Sequence, residues 1–228
     1  TWETEKILRK DMGDQKIKVS GIGPAGENLV RAACIITDRA KAAGGSGVGA
    51  VMGSKNLKAL AVRGKKSVEV AKPEKFEEAL EEAWKKVNSS PSAKIMRQET
   101  LYGGFCHPES KLWELGIMPV RNGQDDFWEQ QKRENVSGKV MKNYMRKILA
   151  CFSCPIGCMP FFEIKEGPYA ETRGEGFWIN SAMSWAARFD VDDPQASIAC
   201  HLLINQLGLD GDTAAVVLSW AFECYERG

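Results

Sequence analysis

The sequence lacks several features that would mark common classes of protein. Its 31 lysines and arginines are balanced by 30 aspartates and glutamates, so the basic excess that is usual in nucleic-acid binders is missing. No apolar run is long enough to cross a bilayer, and no signal peptide is recognisable, so neither a membrane nor a nucleic acid is an expected partner. There are only two histidines, and we interpret both, His107 and His201, as packing or surface residues rather than acid–base groups.

The number of cysteines argues against a framework of disulfides. Seven cysteines in 228 residues, an odd count without a secretion signal, are typical of a protein in a reducing cytoplasm. There, cysteines are either buried apolar side chains or metal ligands. The chain begins at Thr1 and stops at Gly228 directly after a helical pattern, so we expect a segment of a longer cytoplasmic protein.

The spacing of apolar residues predicts an α+β protein with two parts. Residues 1–64 are predicted to contain a helix at 1–12, strands at 17–22 and 57–62, and a helix or a mixture of helix and strand at 29–42. Residues 65–228 are predicted to be mostly helical. The helices expected there span residues 73–87, 137–149, 193–207 and 213–226. For the last helix, Asp212 is the expected N-cap. The side chains expected to be buried on it are those of Val216, Val217, Trp220, Ala221 and Cys224.

The most informative stretch is the cysteine cluster at 151–158. Cys151, Cys154 and Cys158 can wrap an iron–sulfur cube, because irregular backbone turns each sulfur inward and Pro155 and Gly157 permit a tight wrap. A cube normally takes a fourth thiolate from elsewhere. From spacing alone three alternatives stay open: a zinc site, a thioredoxin-like redox pair that leaves Cys158 unexplained, and three buried apolar cysteines.

Two glycine-rich stretches, at 23–28 and 43–49, have the composition of loops that bind phosphate. Glycines free backbone N–H groups to face an anion and allow close approach. Neither stretch fits a standard nucleotide-binding pattern, since no Gly-Lys-Ser/Thr ending follows. Taken alone, each is as well explained by a tight structural turn.

These motifs together resemble the aldehyde:ferredoxin oxidoreductase family, which includes the catalytic subunits of benzoyl-coenzyme A reductase. The resemblance lies in residues 22–31, 42–59, 151–158 and 205–210, in the family's order along nearly the whole chain. It implies that residues 1–64 form the C-terminal part of the pterin-binding N-terminal domain. Residues 65–228 would form a mostly helical domain with the iron–sulfur cysteine motif.

The resemblance implies a set of cofactors. Family members hold tungsten, less often molybdenum, between two pterin dithiolenes beside a [4Fe–4S] cluster. Three of the family's cluster ligands match Cys151, Cys154 and Cys158, and the fourth lies beyond Gly228. Cys34, Cys200 and Cys224, which lie in apolar patterns, are expected to be buried without metal.

The resemblance also implies which residues hold the pterins. The family loop that approaches the pterin phosphates and their magnesium matches Lys41, Ala42, Gly44, Gly45 and Gly47. The Ala42 backbone carbonyl is a suitable oxygen ligand for magnesium.

The family's pterin motif, Asp-x-x-Gly-Leu-Asp, matches residues 205–210. Asn205 stands in place of the first aspartate, while Gly208, Leu209 and Asp210 remain. A neutral asparagine can still bond the amide edge of a pterin, but the charge contact is lost.

A glutamate near the metal is a further feature of the family, between the cysteines and the pterin motif. Glu171 and Glu175 are the two candidates here. For each of them, an exposed acidic residue without a catalytic role is an equally good interpretation.

The implied activity is the oxidation of an aldehyde to a carboxylic acid in an anaerobic cytoplasm. The expected partners are an aldehyde or acyl substrate, a ferredoxin or electron-transfer subunit, and, as an open expectation, further copies of the same chain. The alternative is a non-catalytic fragment or an electron-transfer module that lacks a complete active site, because the fourth cysteine is absent from this sequence.

Overall fold

The computed structural model describes residues 1–93, 114–176 and 179–228, and of these it leaves the side chains of 179, 180 and 182 undescribed. Cys106 and His107 therefore lie outside the described residues. In the described part, no helix combines the length and the apolar composition that a bilayer crossing needs. The mixture of helices and small sheets confirms the predicted α+β class.

The N-terminal part is built on a four-stranded antiparallel sheet with the strand order β3-β2-β1-β4. Its elements are α1 (Trp2–Asp11), β1 (Lys18–Gly21), α2 (Pro24–Glu27), β2 (Ile35–Thr37), β3 (Lys41–Ala43), α3 (Val48–Ser54) and β4 (Ala59–Val62). Val19 and Ile36 are the buried apolar residues of β1 and β2, and Ile17 and Ile22, which flank β1, are buried as well. A hydrogen bond of 2.7 Å between the Ser20 and Thr37 hydroxyls joins β1 to β2.

Residues 29–42 contain no helix, so only the strand part of that prediction is confirmed. Asp38 and Arg39 both adopt positive φ angles, of 48° and 71°, which turn β2 back into β3. A positive φ belongs to the left-handed region, so Asp38 and Arg39 cannot be part of a right-handed helix.

The remaining part combines helices with a second sheet. Its elements are α4 (Pro73–Ser89), a 3₁₀ helix (Arg121–Gly123), α5 (Gln130–Asn135), α6 (Gly138–Met141), β5 (Met145–Leu149), β6 (Met159–Glu163), β7 (Arg173–Glu175), α7 (Ile179–Trp185), a 3₁₀ helix (Ala187–Phe189), α8 (Pro194–Leu207) and α9 (Gly211–Glu226). The helices predicted at 73–87, 193–207 and 213–226 are confirmed.

The helix predicted at 137–149 is wrong. It ends after the single turn of α6, and the chain then forms β5, which pairs with β6 in the antiparallel sheet β5-β6-β7. The pairing places Phe162, fully buried, in the main core with Met141, Ile164, Ile198 and Leu202. The residues of β5 are exposed or half-buried, so the ladder of backbone hydrogen bonds with β6, together with the packing of Met145 on the core, replaces the predicted helix.

Two details predicted for α9 are also wrong. Its N-cap is Asp210, whose side chain accepts from the Thr213 amide, rather than Asp212. The helix buries Ala214, Ala215 and Ser219, whereas Val216, Val217 and Trp220 are exposed. The small residues face α7 and α8, so the large apolar residues lie on the opposite, open face.

Candidate functional site

The end of α8 packs against the loop before β2 through main-chain contacts. The Cys34 amide donates to the Gly208 carbonyl at 2.9 Å, and the Asp210 amide donates to the Ala32 carbonyl at 2.8 Å. Gly208 has a φ of +73° and lies directly against the backbone of Gly23. A side chain at either glycine would collide with main-chain atoms. The segment 205–210 is thereby fixed beside the glycine-rich part of the N-terminal sheet.

Asp210 joins the two segments that the sequence singles out for cofactor binding. Its Oδ2 accepts from the Gly45 amide at 3.1 Å, across 165 residues of sequence. Its Oδ1 accepts from the Thr213 amide at 2.8 Å and from the Thr213 hydroxyl. One carboxylate therefore caps α9 and holds the glycine turn against it.

A cleft of about 310 Å³ opens between these segments. Four of the residues predicted to bind the cofactor line it: Ala42, Asn205, Leu209 and Asp210. Ser181, Trp185 and His201 form another part of its wall. The structure thus brings both predicted pterin-binding segments to one cavity.

The cleft wall contains a polar group that the sequence motifs did not indicate. His201 Nδ1 lies 2.9 Å from the Ser181 hydroxyl, and His201 Nε2 lies 3.3 Å from Asn205 Nδ2. Burial lowers the pKa of His201 to about 4, so the imidazole is neutral at pH 7. The four-residue spacing of His201 and Asn205 on a helix was the signal that could have paired them.

Lys41 and Glu175 form an ion pair at the edge of this cleft. Lys41 Nζ lies 2.6 Å from Glu175 Oε2, and both side chains are partly buried. Lys41 is flanked by Ala40 and Ala42, which line the cleft, and the residue after Glu175 packs against the His201 ring. A predicted phosphate ligand and a predicted catalytic carboxylate are therefore partners.

Glu171 lies elsewhere. It is exposed, has a φ of +69°, and lines a separate groove with Glu163, Lys165 and Arg173. The two candidate glutamates thus differ in position, and only Glu175 lies near the residues predicted to bind the cofactor.

The turn at 44–47 is open to solvent on one side and closely packed on the other. Gly45 has a φ of +76°, and no atom lies within 4 Å of where its Cβ would be. Gly47 has a φ of +66°, but its Cβ would lie 2.6 Å from the Arg31 carbonyl oxygen. Within the described residues, the amides of Gly44, Ser46 and Gly47 donate to no protein acceptor. At Gly47 a side chain would therefore collide with the backbone of Arg31. At Gly45 there is room for a side chain, and only the positive φ angle disfavours it.

The three clustered cysteines lie on the irregular loop between β5 and β6. The loop follows a strand rather than the predicted helix. The Cys154 amide donates to the Cys151 carbonyl at 3.1 Å, and Ser153 and Gly157 adopt positive φ angles of 53° and 61°. Burial, together with the charges of Cys154 and Cys151, raises the pKa of Cys158, so the three groups are electrostatic neighbours. Among the residues described, no three potential ligands are already gathered as a metal would hold them.

The other cysteines differ in exposure from one another. Cys34 is fully buried, and burial with the nearby Asp210 charge raises its pKa to about 12, so it is a neutral thiol. Cys200 is partly buried, and burial raises its pKa. Cys224 is exposed, so the prediction that it is buried is wrong.

The chain matches sequence profiles of one family in two stretches. Residues 1–64 match the aldehyde ferredoxin oxidoreductase N-terminal domain, and residues 78–228 match domains 2 and 3 of the same family. A tungsten-containing aldehyde ferredoxin oxidoreductase from Pyrococcus furiosus is 36% identical over 232 residues. That match covers 99% of this chain and 36% of the relative. An aliphatic sulfonate oxidoreductase subunit from the same organism is 32% identical over 91% of this chain and 32% of its own length.

A solved structure agrees with these matches. The active site complex of benzoyl coenzyme A reductase with 1,5-dienoyl-CoA superposes with a TM-score of 0.71 at 25% sequence identity. The superposition covers 99% of this chain and 35% of that one. The chain therefore spans about a third of the length of the relatives that it matches. This chain belongs to the aldehyde ferredoxin oxidoreductase family, a family of oxidoreductase enzymes.

Proposed function

We propose that this chain forms part of a tungsten pterin oxidoreductase that oxidises an aldehyde to a carboxylic acid. The observation that carries the proposal is the cleft in which segments 42–45 and 205–210 meet. Tungsten and an aldehyde substrate are added by the similarity to the tungsten-containing aldehyde ferredoxin oxidoreductases. An acyl substrate of the benzoyl coenzyme A type is the second candidate, supported by the structural similarity to that reductase at lower identity.

The residues of the cleft fit a pterin cofactor in their chemistry. A pterin has an edge of N–H donors and a phosphate tail, so its site needs acceptors at one end and donors at the other. Asn205 supplies a buried amide, and the turn at 44–47 supplies amides without protein acceptors beside open space at Gly45. Ala42 is exposed, and its backbone carbonyl would be an oxygen ligand for a magnesium ion bound with the cofactor.

The cysteine loop fits an iron–sulfur cluster in its donor set. Three free thiols on one irregular nine-residue stretch, 150–158, can turn toward a common centre, and thiolates are the usual ligands of such clusters. Binding of iron would stabilise the thiolate form of Cys158, against the raised pKa that it has in the free protein. We propose Cys151, Cys154 and Cys158 as three ligands of a [4Fe–4S] cluster.

The reaction requires a water molecule, an acceptor for two electrons and bases for the protons. An aldehyde and water yield one carboxylate, two electrons and three protons. The tungsten centre, when bound, would take up the electron pair, and the cluster would pass the electrons singly to a ferredoxin or a partner subunit. Glu175 would accept a proton at Oε1 or Oε2, and Lys41, whose Nζ lies 2.6 Å from Oε2, would hold this carboxylate in position.

Gly45 allows the cofactor proposal to be tested at a position that packing leaves free. Replacing Gly45 with leucine in the full-length protein should reduce pterin and tungsten content by about fivefold or more, because the side chain fills the space where the phosphate tail approaches. Both contents are measured per folded protein, by metal analysis and by fluorescence of the extracted, oxidised pterin.

The matched control is Gly13→Leu. Gly13 has a φ of +61° and equally open surroundings, but it lies in the turn after α1. Both variants carry the same cost of a left-handed side chain, roughly 1–2 kcal/mol. Equal pterin content in the two variants would show that the turn at 44–47 has only a structural role.

A further inference from the structure

Asn205 is a buried residue whose side-chain nitrogen has a protein partner, whereas its side-chain oxygen has none among the described residues. It is 6% exposed, lines the cleft, and lies one helical turn after His201 on α8. Its Nδ2 lies 3.3 Å from His201 Nε2. In the described part of the chain, its Oδ1 accepts no hydrogen bond from the protein. Asn205 lines the cavity, and its Oδ1 is not enclosed by protein, so a ligand or solvent in the cleft can reach this acceptor.

The structure places the Nδ2 half of the Asn205 amide toward His201 Nε2. An amide NH₂ group only donates, so a ring nitrogen that pairs with it must carry a lone pair. A neutral imidazole has one such nitrogen, and the lowered pKa of His201 keeps the ring neutral at pH 7. In the tautomer that matches this placement, Nε2 accepts from Asn205 and Nδ1 carries the hydrogen toward the Ser181 hydroxyl, 2.9 Å away.

We propose that His201 is a positioning residue: its Nε2 accepts the Asn205 amide N–H, so that Asn205 Oδ1 is turned into the cleft to accept from an N–H edge of the bound cofactor. This inference rests on the proposed function. It assigns His201 a role toward the pterin that neither the motifs nor the relatives indicate.

The presence of asparagine at this position explains why a positioning residue is needed. A carboxylate presents an acceptor oxygen in either orientation, so the aspartate of the family's motif needs no partner to orient it. An amide turned by 180° would instead present its NH₂ group to the N–H edge of the ligand, donor against donor. Asn205 and His201 therefore form a unit, in which the ring selects the productive orientation of the amide.

A pair of substitutions of similar size separates hydrogen bonding from packing at His201. His201→Met fills the space without a strong acceptor, whereas His201→Gln restores an oxygen that can accept from Asn205. In the full-length protein we expect about tenfold less pterin per folded chain for His201→Met, the effect of one lost hydrogen bond, and a content within about threefold of wild type for His201→Gln. Pterin is extracted, oxidised and measured by fluorescence, and thermal unfolding reports the folded fraction.

The same methionine substitution in an Asn205→Asp background supplies a second arm. A carboxylate needs no partner to orient it. The double variant should therefore contain less than about twofold less pterin than Asn205→Asp alone, so the effects of the two substitutions are not additive. If the methionine variant fails to fold, the glutamine variant decides the question: a pterin content within about threefold of wild type supports the positioning role, and a loss of about tenfold or more overturns it.

The outcomes distinguish this inference from the function on which it rests. Pterin-loaded wild type with equal losses for His201→Met and His201→Gln, or with the same loss in the Asn205→Asp background, would overturn the positioning role alone. Full pterin content in folded His201→Met would do the same. Wild-type protein without any pterin would overturn the proposed function, and this inference with it.

Discussion

Replacing Cys154 with alanine in the full-length protein is expected to abolish the visible absorption of the iron–sulfur cluster. The loop between β5 and β6 contributes three thiols, and a cube that loses one of its thiolate ligands is no longer held at one corner. Iron content per chain should fall by more than about half, and absorbance spectra with iron analysis on anaerobically purified protein measure both effects.

Cys224→Ala is the matched control for the cysteine ligands. Cys224 is exposed near the end of α9, far along the chain from the cysteine loop, and its removal should leave spectrum and iron content unchanged. A normal spectrum in the Cys154 variant, or its loss in the Cys224 variant, would refute the assignment of ligands.

Replacing Glu175 with glutamine should lower kcat by about 10²–10⁴-fold, the usual contribution of a positioned acid–base group. The amide removes the charge that Lys41 pairs with at 2.6 Å while it keeps the size of the side chain. Steady-state oxidation of a short-chain aldehyde with an artificial electron acceptor measures the loss, and pterin and tungsten contents show that the cofactor is retained.

Glu171→Gln provides the comparison for the catalytic role. Glu171 is exposed and lines a groove apart from the cleft, so kcat should remain within about twofold of wild type. A large loss of kcat in the Glu171 variant, with normal activity in the Glu175 variant, would reverse the assignment of the two carboxylates.

The sequence predicts best the elements whose local signals and tertiary packing agree. In α8, Asp193 caps the helix by accepting from the Gln195 amide at 2.8 Å, Pro194 begins it, and Gly208 ends it with a φ of +73°. Each of these signals is local, so the helix can be located from the residues alone.

The errors arise where tertiary contacts decide. Strand β5 has a helical pattern but pairs with β6, and its backbone groups are satisfied by a partner strand that no local signal indicates. On α9 the large apolar residues are exposed, and small Ala214 and Ala215 face the neighbouring helices. Periodicity indicates an apolar face, but the size of the residues that fit between close helices decides which face is buried.

The candidate site is recognisable from sequence motifs in part. The glycines and the 205–210 segment are marked by their pattern, and the structure brings them together through Asp210. Lys41 and Glu175 are far apart in sequence and meet only in the folded chain. His201 and Asn205 are one helical turn apart, and only their burial in the cleft wall distinguishes them from any other such pair. No sequence motif marks such pairs, because residues of these types occur at many positions where they have no such partner.

The most direct test of the account is metal and pterin analysis of the full-length protein, purified without oxygen. We expect about one tungsten, or molybdenum in its place, and about four irons per chain, with pterin present after acid extraction. A folded protein that contains zinc at the cysteine loop, with neither tungsten nor molybdenum and no pterin, would contradict it.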